Sequence, residues 1–205
     1  MWFEACLARA VDPDDESECL LLACRDIGDR KWREHYLQRM AFSDPLTGIA
    51  NRRRLMDRLN EATGAEAVLG ERFALLYFDL DRFKAINDRL GHEAGDELLE
   101  LFARRVEGNL RPEDVFARIG GDEFVVLLAR VDAPQALDVA ERLCDALQGG
   151  WSLRGGTLVT SSSIGVALFP EAARDAHGLL RCADQALYEA KRAGRGCVRL
   201  HQPTN

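Results

Sequence analysis

VFARIGGDEFVVLLA, residues 115–129, contains two apolar runs separated by the pair Gly120-Gly121. Such runs, rich in valine and phenylalanine and joined by a glycine turn, are typical of a β-hairpin. A two-residue hairpin turn usually favours Asn-Gly or Asp-Gly, whereas here the acids Asp122 and Glu123 follow the glycines. Glycine lets a phosphate approach the backbone closely, and carboxylates and phosphates are the ligands that Mg²⁺ prefers. The turn therefore predicts a phosphoryl-transfer site.

Strand and helix patterns alternate on both sides of this hairpin. They give a βαββαβ order with an added first helix, which predicts an α+β, ferredoxin-like fold with an antiparallel central sheet. The fold alone does not specify a chemistry. The expected strands are 73–80, 115–119, 123–129, 158–169 and 198–200, and the expected helices are 96–109, 134–148 and 176–193.

A second acidic pair, Asp79 and Asp81, follows the apolar run 73–78. Alternation along a strand places both carboxylates on the same face, where they could bind a cation. The alternative is a pair of solvated carboxylates in a loop. The acids of the hairpin turn favour the cation, because two acidic loci in one chain can complete a metal site.

Length and composition limit the function classes. The 205 residues allow one full domain and a smaller appendage, and a net charge of −7 disfavours nucleic acid as a partner. The longest apolar runs are strand-sized, so no membrane segment is expected in this chain. The acidic N-terminal region is unlike a signal peptide, and the six cysteines lack metal-site spacing. A cytoplasmic protein with reduced thiols is expected.

The N-terminal region is expected to be separate from the main domain. Residues 1–28 are predicted to form two strands, 2–10 and 18–27, and the run RDIGDRK at 25–31 resembles the last strand and exit of a PAS sensor domain. Residues 29–42 have apolar residues at helical intervals and predict a linker helix. This helix either packs on its own domain or makes dimer contacts. The main domain is expected at 43–205.

Further motifs accompany the hairpin, and together they span about residues 42–200. They are DPLTGIANRR at 44–53, DLDRFKAIND at 79–88, GHEAGD at 91–96, IGGDEF at 119–124, SIG at 163–165 and ADQALYEAK at 183–191. This set resembles the GGDEF family of diguanylate cyclases, which join two GTP molecules into cyclic di-GMP. Arg82 stands where an aromatic residue is frequent in the family, and Gly196 stands where Asn is common; neither departure removes a known ligand.

The resemblance implies a two-metal mechanism with two Mg²⁺ ions per active site, for which Mn²⁺ could substitute. The carboxylates of Asp79 and Asp122 and the backbone carbonyl of Leu80 would be metal ligands. Glu123 would either bind the second metal or help to deprotonate the attacking 3′-hydroxyl group. Both roles remain open at the level of sequence.

The resemblance also assigns residues that bind GTP. Asn87 and Asp96 would read the guanine base, although Asp96 could instead cap a helix. His92 matches a nucleotide-adjacent position, but a lone histidine in a turn is more often structural. The triphosphate would contact the backbone of Phe83 and Lys84, the bare backbone of Gly120 and Gly121, and the side chains of Lys191 and Arg195, although basic residues also commonly end a helix.

Two further expectations concern assembly and regulation. One domain holds one GTP, so the reaction requires a homodimer with facing active sites. Arg111 and Asp114 match the family's RxxD inhibitory site in identity and spacing, which predicts inhibition by cyclic di-GMP. The alternative is a plain surface turn, because the Arg-Pro-Glu-Asp sequence of residues 111–114 is also common in turns. The main alternative is a catalytically silent domain that binds GTP or cyclic di-GMP, and the second is a related two-metal enzyme with another nucleotide substrate.

Overall fold

The computed structural model describes residues 2–11, 18–64 and 72–202. The chain divides into two compact units, Met1–Ala41 and Phe42–Asn205. Most of the acidic turn expected between the first two strands lies outside the described residues.

The first unit contains the expected strand pair and linker helix. Strands β1 (Phe3–Val11) and β2 (Glu18–Asp26) are antiparallel, with Phe3 opposite Asp26. Helix α1 (Gly28–Phe42) follows, and the carboxylate of Asp26 accepts a hydrogen bond of 2.8 Å from the backbone N–H of Gly28. The similarity of this unit to the end of a PAS domain stays a prediction.

The second unit alternates strands and helices. Its strands are β3 (Ala50–Asn51), β4 (Phe73–Leu80), β5 (Val115–Gly120), β6 (Glu123–Ala129), β7 (Gly149–Leu153), β8 (Gly156–Thr160), β9 (Ser162–Phe169) and β10 (Val198–Leu200). Its helices are α2 (Arg52–Thr63), α3 (Phe83–Leu90), α4 (His92–Glu107), α5 (Ala133–Leu147) and α6 (Ala176–Arg192).

The main sheet has the order β10-β9-β4-β6-β5-β3. Its four central strands pair antiparallel, in the arrangement expected for a βαββαβ unit. The two edge strands instead pair in parallel, β10 with β9 and β3 with β5. The predicted ferredoxin-like fold is confirmed, and the complete sheet is mixed rather than purely antiparallel.

Two local expectations were wrong. The predicted strand 158–169 is divided at Ser161 into β8 and β9, and β8 forms a separate hairpin with β7. The helix predicted from Asp96 begins at His92, directly after α3 and Gly91. Gly91 has φ of 86°, a left-handed conformation that glycine adopts readily and that allows the chain to leave one helix and enter the next.

Helices cover both faces of the sheet. Strand β4 is buried along almost all of its length because one face packs against α3, α4 and α5 and the other against α2 and α6. Gly165 of β9 lets α6 lie directly against the sheet, since a Cβ atom there would overlap the backbone of Ala183 and Leu187. The ends of β4 and β6 are therefore held in fixed positions. Among the described residues, no helix has both the length and the apolar character needed to cross a bilayer.

Candidate functional site

The register of β4 and β6 brings the acidic residues to one end of the sheet. Asp79 lies directly opposite Glu123, and Asp122 is in the turn that precedes Glu123. Gly121 has φ of 51°, so the turn uses the left-handed freedom that the sequence predicted for its glycines. Pairing between β5 and β6 shifts between Arg118 and Gly120, which marks an irregularity next to the turn.

The side chain of Asp79 is 15% exposed. Its carboxylate lies 2.6 Å from the Nζ atom of Lys191 on α6. Burial raises the pKa of Asp79; the negative charge of Asp122 acts in the same direction and the Lys191 ammonium opposes it. Lys191 is therefore part of the acidic site and not simply a solvated cation at a helix end.

Asp81 has a different environment from Asp79. Its carboxylate is 4% exposed and accepts hydrogen bonds from the hydroxyl groups of Ser161 (2.6 Å) and Ser163 (2.8 Å) and from the backbone N–H of Gly196 (3.0 Å). The expectation that Asp79 and Asp81 together face a cation is not met, because the chain's own donors occupy the Asp81 carboxylate. Gly196 has φ of 55°, a conformation open to Gly and also to the Asn common in the family.

The motif at 44–53 supports the hairpin turn through Arg118. The Arg118 guanidinium donates to both oxygens of Asp44, at 3.1 and 3.3 Å, and to the backbone carbonyl of Gly121 at 2.8 Å. Burial alone would raise the pKa of Asp44, but hydrogen bonds from Thr47 and the charge of Arg118 outweigh it and hold that pKa below its usual value. Sequence reasoning missed Arg118, whose only signal was its place two residues before the glycine pair.

Tyr77 is a second residue that sequence reasoning missed. Burial, followed by the negative charges of Glu123 and Asp184, raises the pKa of Tyr77 well above its ordinary value. The hydroxyl group therefore stays protonated near the Glu123 carboxylate. A tyrosine two residues before the first acid of β4 was the available signal.

The acids form an open site rather than a closed metal cage. Within the described ranges, no three His, Cys, Asp or Glu side chains come together as a complete metal site. Mg²⁺ commonly takes only one or two carboxylates and completes its coordination with water and substrate phosphates. Asp79, Asp122 and Glu123 fit that pattern. Leu80 ends β4 with a buried side chain, so its backbone carbonyl is the group it can offer.

Asn87 and Gly95 bring α3 and α4 close together. A Cβ atom at Gly95 would overlap the side-chain oxygen of Asn87. That buried oxygen has no hydrogen-bond partner among the described residues, and a buried acceptor without a donor is costly unless a ligand supplies one. Asp96 is exposed one turn into α4, whose N-cap is Gly91, so the helix-capping alternative for Asp96 is wrong. His92 is the exposed first residue of α4.

The residues expected to bind the triphosphate lie beside the acids or near the start of α3. Phe83 and Lys84 are the first two residues of α3, whose N-cap, Arg82, makes no side-chain cap hydrogen bond. Their backbone N–H groups are therefore available to an anion. Arg195 lies in the loop after α6, with its Nε atom 4.0 Å from the buried carboxylate of Asp81.

The RxxD residues form a turn that lines a separate cavity of about 710 Å³. Asp114 accepts from the backbone N–H of Arg111 (3.0 Å) and of Ala129 (3.2 Å), so the surface-turn interpretation describes its local structure correctly. Arg54 and Arg58 of α2 also line this cavity. Sequence reasoning missed both, and their spacing of four residues directly after the motif at 44–53 was the available signal.

Comparison with known proteins agrees with this architecture. The family model "Diguanylate cyclase, GGDEF domain" matches residues 41–197. The diguanylate cyclase TpbB of Pseudomonas aeruginosa strain UCBPP-PA14 is 45% identical over 166 residues, which cover 80% of this chain and 38% of TpbB.

Solved structures give the same result. The GGDEF domain of P. aeruginosa TpbB has a TM-score of 0.75 at 45% identity, covering 78% of this chain and 94% of that one. A second structure contains the coiled coil and GGDEF domain of DgcB from Caulobacter crescentus in complex with c-di-GMP. It has a TM-score of 0.76 at 29% identity, covering 84% of this chain and 93% of that one. This chain therefore belongs to the GGDEF domain family of diguanylate cyclases.

Proposed function

We propose that this chain condenses two GTP molecules into cyclic di-GMP and releases two pyrophosphates. The observation that carries the proposal is the meeting of Asp79, Asp122 and Glu123 at the glycine turn, with Lys191 against Asp79. A cluster of acids beside bare backbone and a cation suits a polyphosphate substrate with its divalent cations.

In each of the two reactions, the 3′-oxygen of one GTP attacks the α-phosphorus of the other. A new P–O bond forms, the bond between the α-phosphorus and the bridging oxygen breaks, and pyrophosphate leaves with the electron pair. Bound divalent cations, which we propose to be two Mg²⁺ ions, supply charge stabilisation for the attacking and leaving oxygens. Asp79, Asp122 and the carbonyl of Leu80 would hold them.

The remaining side chains act on the proton and on the leaving group. Glu123 either completes the metal ligands or accepts the hydroxyl proton. Lys191 and Arg195 offset the charge that develops as pyrophosphate departs. Because Lys191 already lies 2.6 Å from Asp79, substrate binding requires it to turn from that carboxylate towards the phosphates.

We assign the guanine base to the junction of α3 and α4, at Asn87 and Asp96. The unpartnered oxygen of Asn87 can accept from the N–H groups of the base, and the exposed Asp96 carboxylate can accept a further pair. Adenine lacks this donor pair on its corresponding edge. His92, at the start of α4, lies at the rim of this region.

A homodimer is part of the proposed mechanism, since two loaded sites must face each other about a twofold axis. Three aromatic or apolar side chains of α1, Trp32, Tyr36 and Met40, are spaced four residues apart and exposed. This stripe supports the alternative in which the linker helix makes dimer contacts. We further propose that the strand pair before it is the end of a PAS-like domain, because both strands expose large apolar side chains that a complete domain would cover.

The silent alternative, a domain that only binds GTP or cyclic di-GMP, predicts no product. We favour the active enzyme because each acid of the proposed site is present. The test is chromatography of products after incubation with GTP and Mg²⁺, with ATP in parallel, for the parent and for Asp96→Ala. The parent should convert GTP only. In Asp96→Ala the ratio of the GTP rate to the ATP rate should fall by about 10²-fold or more, because an acceptor that reads the base is gone.

Glu93→Ala is the control, because Glu93 is an exposed acid on the first turn of the same helix. It should keep the parental rate ratio. Absence of cyclic di-GMP from the parent would favour the silent alternative, and an unchanged ratio in Asp96→Ala would remove Asp96 from the base site.

We propose that the cavity at Arg111 is an inhibitory site for the product. Arg111 and Arg54 would pair with phosphates or stack on guanine, and Asp114 would hold the turn while offering its remaining lone pairs to a base. Product bound there would keep the two protomers from facing each other, so inhibition should not compete with GTP.

Arg111→Ala should therefore keep a near-normal uninhibited rate and lose most of its sensitivity to cyclic di-GMP, by about tenfold or more in the inhibitory concentration. Initial rates against added product measure this. Arg104→Ala is the control, since Arg104 is an exposed arginine that pairs with Glu100 outside the cavity. Equal sensitivity in parent and Arg111→Ala would defeat the inhibitory site without affecting the catalytic assignment.

A further inference from the structure

A second large cavity, of about 720 Å³, lies on the side of α3 that carries Arg82 and Arg89. Its opposite walls are strand β8 and the loop of Gly194, Arg195 and Gly196. Arg82 and Arg89 are seven residues apart, so their Cα atoms are about 10 Å apart along the helix. Two long arginine side chains that line the same cavity, one at the N-cap of α3 and one in its last turn, can reach a common ligand across that distance.

The charges of this cavity are almost all positive. Arg82, Arg89 and Arg195 line it, and its acid is Asp81. The Asp81 carboxylate is already occupied by two serine hydroxyl groups and a backbone N–H. Among the described residues, Arg82 and Arg89 have no ion-pair partner. A cluster of arginines in a chain of net charge −7 is a local site for an anion.

The backbone also directs these side chains. Arg82 and Arg195 have φ of 62° and 69°, the left-handed conformation that non-glycine residues seldom adopt. Such a conformation costs free energy and often occurs at ligand sites. Arg82 also occupies the N-cap of α3, where the exposed N–H groups and the helix dipole favour negative charge.

We propose that this cavity binds pyrophosphate as it leaves the reaction, with Arg82 and Arg89 as ligands distant from the reacting phosphorus. The inference rests on the proposed function, because Arg195 joins the two regions: it is assigned to the triphosphate and also lines this cavity. Pyrophosphate leaves with the electron pair of the broken bond and is a polyanion, so cations along its way out would favour its departure. Pyrophosphate would pass from Lys191 and Arg195 to Arg82 and Arg89 on its way to solvent.

The wall opposite α3 supports a release path rather than a second substrate site. Val159 on β8 is 76% exposed, whereas its neighbour Leu158 is buried. The cavity therefore opens to solvent along β8. A wide opening lined by cations at one side allows a small, strongly charged ion to bind weakly and leave.

The test is equilibrium binding of inorganic pyrophosphate to the whole chain without GTP and with a chelator present, measured by calorimetry. Removal of divalent cations suppresses binding at the acidic site, so the arginines alone are probed. Arg89→Gln should weaken pyrophosphate binding about five- to tenfold, because one charge-assisted contact is lost. Arg89→Lys, which keeps the charge but not the planar fork, should lie between Arg89→Gln and the parent.

Arg174→Gln is the matched control, since Arg174 is exposed and does not line the cavity; it should bind pyrophosphate as the parent does. Orthophosphate should bind more weakly than pyrophosphate. In turnover assays, Arg89→Gln should keep the parental KM for GTP while pyrophosphate inhibits it less. Equal pyrophosphate affinity in Arg89→Gln and the parent, or equal binding of both phosphates, would overturn the proposal.

These results are separable from the proposed function. If the chain makes no cyclic di-GMP and pyrophosphate binding still depends on Arg89, the anion site is supported and the proposed reaction is rejected. If cyclic di-GMP is made and Arg89→Gln binds pyrophosphate normally, only the release path is lost.

Discussion

Asp122→Asn is expected to reduce the rate of cyclic di-GMP synthesis by about 10³-fold or more. Asparagine keeps the shape of the side chain but removes the negative charge that would hold a divalent cation at the glycine turn. Losing one electrostatic contact to a transition state commonly costs 10²- to 10³-fold in rate, and a lost metal ligand costs at least that much.

The fold should survive this change. The Asp122 carboxylate is half-buried, and its charge raises the pKa of nearby Asp79, which means that the two acids repel each other. Neutralising Asp122 removes that repulsion, so the melting temperature should stay the same or rise slightly. A loss of activity in Asp122→Asn thus cannot be attributed to unfolding.

The measurement is the initial rate of product formation with saturating GTP and Mg²⁺, together with a thermal melt of each protein. Asp138→Asn makes the same chemical change at an exposed position of α5 and should behave as the parent does. Parental activity in Asp122→Asn would reject the two-metal assignment. A strong loss of activity in Asp138→Asn would show that the assay reports something other than the site.

The hairpin and its acids could be predicted because their information is local. Two apolar runs around Gly120-Gly121 determine the strand pair, and alternation along β4 places Asp79 at its end. The opposition of Asp79 and Glu123 then follows from antiparallel pairing of the central strands. These steps use residues close in sequence and the regular period of a strand.

The supports of the site could not be predicted in this way. Arg118 contacts Asp44 across 74 residues of sequence, and a single arginine before a turn has many other uses. The β7–β8 hairpin was missed because Gly149 and Gly150 begin it and give no strand signal. Residues 158–169 were interpreted as one continuous apolar strand, so the break at Ser161 was not predicted. The hydroxyl group of Ser161 donates a hydrogen bond to Asp81.

Asp81 shows most clearly how position along a strand differs from function. Alternation in the sequence suggested the same role for Asp79 and Asp81, but β4 ends at Leu80, so Asp79 lies in the strand and Asp81 in the turn that follows it. The donors around Asp81 come from residues 80, 82 and 115 positions away in sequence, and their convergence is a property of the folded chain. The two acids therefore have separate environments: Asp79 pairs with Lys191 beside the glycine turn, and Asp81 holds β9 and the loop after α6 to the end of β4.

Asp81→Ala is accordingly expected to lower the free energy of unfolding by about 3 kcal/mol. The change leaves two serine hydroxyl groups and the N–H of Gly196 without their acceptor, and each buried unsatisfied donor costs about 1–3 kcal/mol. Serine hydroxyl groups can rotate towards other acceptors, so the expected loss of stability is smaller than the summed cost of three unsatisfied donors. For a chain of this size, about 3 kcal/mol corresponds to a fall of roughly 6–12 °C in melting temperature.

Urea and thermal unfolding of the whole chain in chelator measure this effect without any contribution from metal binding. Asp81→Asn, which keeps one acceptor oxygen, should be destabilised by less than Asp81→Ala, and Asp138→Ala on the exposed face of α5 should melt as the parent does. If Asp81 were instead a metal ligand, Asp81→Ala would unfold like the parent in chelator and would lose only the stabilisation that added Mg²⁺ gives. The donors that already bind the Asp81 carboxylate predict the reverse. Most of the loss in free energy of unfolding should appear in chelator. The increase in stability on adding Mg²⁺ should be retained, because Asp79 and Asp122 remain.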